Sequence, residues 1–109
     1  MRIVFDQGTP VPLRDHLCPH QISTVYELGW STLSNGELLL QAESQGFEVL
    51  VTTDQNLKYQ QNLANRKIAI VVLGATSWLR IQKVLPSVIE AVSSIQANGY
   101  VEVFVPHSS

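Results

Sequence analysis

Phe47-Glu48-Val49-Leu50-Val51-Thr52-Thr53-Asp54 is an apolar run that ends on a carboxylate, and its reading decides the fold. Val49-Leu50-Val51 has no polar face, which is how a strand covered on both sides of a sheet reads. Arg2-Ile3-Val4-Phe5-Asp6 is built the same way and also finishes on an aspartate. Two such strands predict a parallel sheet with both acids at its carboxyl edge. In open α/β sheets that edge binds ligands, at the point where strand order reverses.

Working outward, Thr9 and Pro10 read as N-cap and first residue of a short helix ending near Leu17. Residues 21–28 are rich in β-branched side chains and predict a second strand, closed by Gly29; Trp30 to Leu33 form a loop. Ser34-Asn35-Gly36-Glu37 has the S-x-x-E pattern of a capping box and opens a helix with Leu38, Leu39 and Ala42 on one face. Gly46 stands where that helix should end. Residues 55–64 predict a polar helix with Leu57 and Leu63 turned inward, and 67–73 a continuous apolar strand. A helix over 78–97, offset at Pro86, an Asn98-Gly99 turn and an edge strand over 100–105 complete the chain. Alternating strands and helices imply right-handed βαβ units. Strand order 2-1-3-4-5 brings the two acid-bearing strands side by side and leaves the direction of the last strand open.

The 109 residues, 45% hydrophobic and 15% charged, make one domain over 1–105 with a tail over 106–109. A net charge of −2 provides no global attraction to nucleic acid, so any RNA contact needs a local basic rim. The single cysteine, Cys18, excludes an internal disulfide and points to a reducing compartment; at the end of a helix it is expected to be buried. No signal peptide and no membrane span are recognisable, so a cytoplasmic protein is expected. His16, His20 and His107 lack the spacing of a zinc site.

With Asp6 and Asp54 one strand spacing apart, about 5 Å between backbones, their carboxylates repel unless a proton or cation lies between them. Mg²⁺ or Mn²⁺ suits such oxygen ligands, and Glu37 at the start of the second helix is the candidate third acid. Against this stands the plain reading: each aspartate caps the turn after its strand, and the capping box accounts for Glu37 alone.

Four stretches together resemble short bacterial PIN-like proteins, relatives of the ribonuclease toxins of toxin–antitoxin modules. The pattern D-E-N-L-P is met by Asp6-Gln7-Gly8-Thr9-Pro10, and E-L-G by Glu27-Leu28-Gly29. S-D-x-E-[IL] is met by Ser34-Asn35-Gly36-Glu37-Leu38, and L-V-T-x-D-x-D-F by Leu50-Val51-Thr52-Thr53-Asp54-Gln55-Asn56-Leu57. The resemblance implies a three-layer α/β/α PIN-like domain holding Mg or Mn on Asp6, Glu37 and Asp54 and cleaving RNA. Gln7, Asn35, Thr52, Thr53 and Asn56 would surround the acids, with Arg14, Lys58 and Arg66 on phosphates. An antitoxin protein and a homodimer are the partners it implies. Gln7, Asn35 and Asn56 depart from the pattern, replacing carboxylates with amides, so a non-cutting module that binds a protein or RNA is the competing expectation. A phosphoacceptor receiver is disfavoured, because Gln7 replaces an acid and no lysine follows the last strand.

Overall fold

A computed structural model describes residues 1–64 and 66–107; Ser108 and Ser109, the end of the expected tail, lie outside the described residues. Five strands form the sheet: β1 (Arg2–Phe5), β2 (Gln21–Thr24), β3 (Val49–Thr52), β4 (Ala69–Leu73) and β5 (Tyr100–Val103). Their order is β2-β1-β3-β4-β5 and every pairing is parallel, β5 included. The expected α/β class and strand order are thus observed. No helix among the described residues is long and apolar enough to cross a membrane.

The apolar runs explain the centre of the sheet. Every residue of β3 and β4 is buried, and alternate side chains serve opposite faces as a strand requires. Ile3, Phe5, Val49, Val51, Val71 and Leu73 pack on one face, against a 3₁₀ helix (Val11–His16) and two helices met later in the chain. Val4, Leu50, Ile70 and Val72 pack on the other, with Leu38, Leu39 and Ala42. A fully buried side chain of this size contributes about 1.5–3 kcal/mol, so these two strands anchor the domain.

Helical segments differ more from expectation. The second strand stops at Thr24, and Val25–Leu28 is a single helical turn, α1. A second capping box causes this: the Thr24 hydroxyl accepts from the Glu27 amide at 3.2 Å, and the Glu27 carboxylate accepts from the Thr24 amide at 2.9 Å. Gly29 ends the turn with φ of 75°, which a residue with a side chain rarely adopts. The box at Ser34 and Glu37 opens α2 (Asn35–Ser44) as read.

The polar helix after Asp54 is only α3 (Leu57–Gln60). Asn62 stops it by accepting the Ala64 amide at 3.0 Å, a local bond that competes with helix. The late helix is two, α4 (Trp78–Gln82) and α5 (Leu85–Ser94), with Pro86 inside the first turn of the second. Thr9 is no N-cap: buried, it donates to the Val51 carbonyl at 3.1 Å and ties the loop after β1 to β3. Cys18, expected inside, is exposed.

Candidate functional site

The ends of β1 and β3 meet as the strand pattern requires, but in a different register from the one expected. Phe5 pairs with Val51, so the residue beside Asp6 is Thr52, and Asp54 lies two residues farther along. One hydroxyl joins the two acids. Thr52 Oγ1, fully buried, donates to Asp6 Oδ2 at 2.9 Å and accepts from the Asp54 amide at 3.1 Å. The other Asp6 oxygen accepts from the Gln7 amide at 2.8 Å.

Burial raises the Asp6 pKa above its ordinary 3.8; the bonds from Thr52 and Gln7 pull it back in part, and the negative charge of Asp54 pushes it up further. Gly8, with φ of 85°, lets the chain turn away from Asp6 directly over Thr53. A Cβ there would lie 2.7 Å from Thr53 Oγ1, so Thr53 is a wall of the turn.

Asp54 is held on both oxygens. Oδ1 accepts from the Asn56 amide at 2.9 Å and Oδ2 from Asn35 Nδ2 at 3.1 Å. The same Asn35 nitrogen donates to Gln60 Oε1 at 2.9 Å, so both its hydrogens are used. Position 35 therefore faces the acids, and position 37 does not. The Glu37 carboxylate accepts from the Ser34 amide at 3.0 Å; the bonds from that amide and from the Ser34 hydroxyl hold its pKa below the usual range. The capping box is already visible in sequence and turns the Glu37 carboxylate back onto Ser34 through one oxygen. That leaves the first helical residue, Asn35, to meet the strand end.

The expected set of three carboxylates is not assembled: among the described residues no three His, Cys, Asp or Glu are grouped to hold a metal ion. All four oxygens of Asp6 and Asp54 already accept hydrogen bonds from the protein. The group facing them from α2 is an amide nitrogen, which offers hydrogens and no lone pair to a cation. The arrangement therefore does not fit a Mg²⁺ or Mn²⁺ centre closed by three acids.

The rim around the acids is made of amides. Gln7 Nε2 donates to the Ser31 carbonyl at 2.6 Å and Gln55 Nε2 to the Gly74 carbonyl at 3.4 Å. Ser31 is the partner that sequence reasoning did not assign, while Gln60 belongs to the polar run 56–62 that the resemblance sets beside the acids. The three cations expected on phosphates are all paired with carboxylates: Arg14 with Glu27, Lys58 with Glu102 at 3.0 Å and Arg66 with Glu43 at 2.9 Å. Compared with known proteins, the chain matches no family model, no curated protein and no solved structure.

Proposed function

We propose that the chain is a three-layer PIN-like domain, cytoplasmic, that binds a partner protein through the amide-rich carboxyl edge of its sheet and does not cut RNA. One observation carries this reading. Asn35 stands where the resembled pattern has an acid, and its amide spans Asp54 and Gln60, so hydrogen bonds replace the cation that three acids would need. The pairing of Arg14, Lys58 and Arg66 with carboxylates supports a protein partner over a nucleic acid, which calls for free cations along its backbone.

The test uses Mn²⁺ and Mg²⁺ at millimolar concentration, with thermal melting and calorimetry as readouts. The wild type is expected to show neither heat nor a shift in melting temperature. Asn35→Asp, which adds a third carboxylate beside Asp54, is expected to melt lower in chelator and to regain its midpoint on adding Mn²⁺.

A second reading, a Mg- or Mn-dependent ribonuclease acting as the toxin of a toxin–antitoxin pair, is favoured by one feature. Burial and the charge of Asp54 push the Asp6 pKa up, a strain that a cation would relieve. Metal binding by the wild type, with RNA cleavage lost in Asp6→Ala, would establish that reading and overturn the first.

A further inference from the structure

The amino ends of the strands hold a cleft that the folding contacts leave open. α5 covers one face of the sheet through Val88, Ala91 and Val92 but ends at Ser94. Beyond it Ile95 takes an extended backbone, with φ of −69° and ψ of 142°, and the chain turns into β5 through Asn98 and Gly99. The start of the sheet is left without helical cover on that side. There Val49 and Ala69 pair at the first positions of β3 and β4. The cavity measures about 550 Å³, and Met1, Val49, Ala69, Ile95 and Ala97 supply apolar walls. That volume suits a small organic ligand and is more than a single amino acid fills.

Three charged side chains border the cleft. Glu43 is taken up by Arg66 and by the Lys67 and Ile68 amides. Glu48 and Lys67 are not. Glu48 Oε1 accepts one long bond, from the Arg2 amide at 3.2 Å, and among the described residues no donor reaches its other oxygen. The Lys67 ammonium enters no ion pair among the described residues. Because Val49 pairs with Ala69, residue 48 stands beside residue 68, one step from Lys67. A carboxylate and an ammonium thus share the border of one apolar cleft without pairing to each other. A plain anion would be drawn by Lys67 and repelled by Glu48, and a plain cation the reverse. A ligand with both charges and an apolar body satisfies the two together. The wall beside them can also meet a peptide group: among the described residues, the N–H groups of Ile95, Gln96 and Ala97 donate to no backbone carbonyl.

We infer that this cleft binds a free dipeptide of apolar residues. Its ammonium end meets Glu48, its carboxylate end meets Lys67, and its side chains lie against Val49, Ala69, Ile95 and Ala97. The site is at the opposite edge of the sheet from Asp6 and Asp54, so the inference holds whatever those acids bind.

Calorimetric titration of the whole chain with leucylleucine tests it, with circular dichroism to check each fold. The wild type is expected to bind one molecule with a Kd of about 1 mM or tighter. N-acetyl-leucylleucine and leucylleucine amide, each lacking one charge, should bind about threefold to fivefold more weakly, the range of an exposed ion pair. Glu48→Gln keeps an acceptor for the Arg2 amide and should bind the free and acetylated forms alike. Lys67→Gln should likewise cease to distinguish the free form from the amide. Ala97→Trp fills the cleft from an exposed position and should abolish binding. No heat from the wild type overturns the inference, and so do equal affinities for the free and blocked dipeptides. Tighter binding of octanoate than of leucylleucine would mark an anionic amphiphile as the occupant and overturns it too. Should Ala97→Trp fail to fold, the Glu48 and Lys67 variants decide.

Discussion

The amino and carboxyl edges of the sheet are both rich in polar side chains, yet they are balanced in different ways. At the amino edge charge meets its complement. Glu43 accepts from Arg66 at 2.9 Å and from the Lys67 and Ile68 amides at 2.6 and 3.3 Å, and the Arg2 guanidinium lies 4.3 Å over the Phe47 ring. At the carboxyl edge one hydroxyl bonds the Asp6 carboxylate and the Asp54 amide, and among the described residues no cation is bonded to either aspartate. The first arrangement serves folding: its groups point at one another and at the backbone entering β4. The second leaves like charges close together in a half-buried place, and burial together with the charge of Asp54 pushes the Asp6 pKa up.

Breaking the amino edge should give the largest loss. Glu43→Ala removes the partner of Arg66 and leaves two backbone N–H groups at the start of β4 without their acceptor. Water reaches the Lys67 amide, while the Ile68 amide is partly buried; a buried unsatisfied group costs about 1–3 kcal/mol, so urea unfolding should report a loss of about 1–3 kcal/mol. A loss within error of zero would show that this edge is solvated decoration.

Next comes Thr52→Val, which keeps the shape of a fully buried side chain and removes only its hydroxyl. Asp6 loses a donor and the Asp54 amide loses an acceptor. The expected loss is about 1–2 kcal/mol, smaller than at Glu43 because water reaches the aspartates and partly replaces the bonds. If Thr52→Val matched Glu43→Ala, the carboxyl edge would be as much a part of the scaffold as the amino edge.

The two edges also differed in how far the sequence revealed them. The strands were legible because β3 and β4 are apolar without interruption, a pattern fixed by burial on both faces and independent of distant contacts. Asp6 and Asp54 followed from their places at strand ends. Glu37 is engaged by the same S-x-x-E pattern that predicts its helix, since its carboxylate accepts from the Ser34 amide. Thr24 and Glu27 repeat the pattern ten residues earlier, and there the β-branched run hid it. The lesson is physical: a glutamate at the third helical position is bound locally before it can serve a distant site. The Asn35 bridge to Gln60 joins residues 25 apart in the chain, and its geometry depends on where α3 ends. So does the pairing of Arg14, Lys58 and Arg66, since each partner lies on another element.

The subtlest difference between the edges is the sign of their response to pH. The folded pKa of Asp6 is raised above 3.8, chiefly by burial. The native state thus holds that proton more tightly than the unfolded chain does. The stability this confers is present below 3.8 and is lost as pH rises through the folded value. Glu43 behaves in the opposite way. Its partial burial pushes the pKa up, but the bonds from Arg66, Lys67 and Ile68 outweigh that and leave it below 4.5. Its contribution is present above 4.5 and is lost as pH falls through the folded value. Melting temperatures measured from acid to neutral pH should therefore diverge for two isosteric variants. Relative to wild type, Asp6→Asn should gain as pH rises, because the neutral amide escapes the cost of ionising beside Asp54. Glu43→Gln should lose over the same range, since it forgoes a charge the native state welcomes. Parallel curves would mean that the carboxyl edge ionises as freely as the amino edge, leaving the Asp6 and Asp54 pair no strain for a partner to relieve.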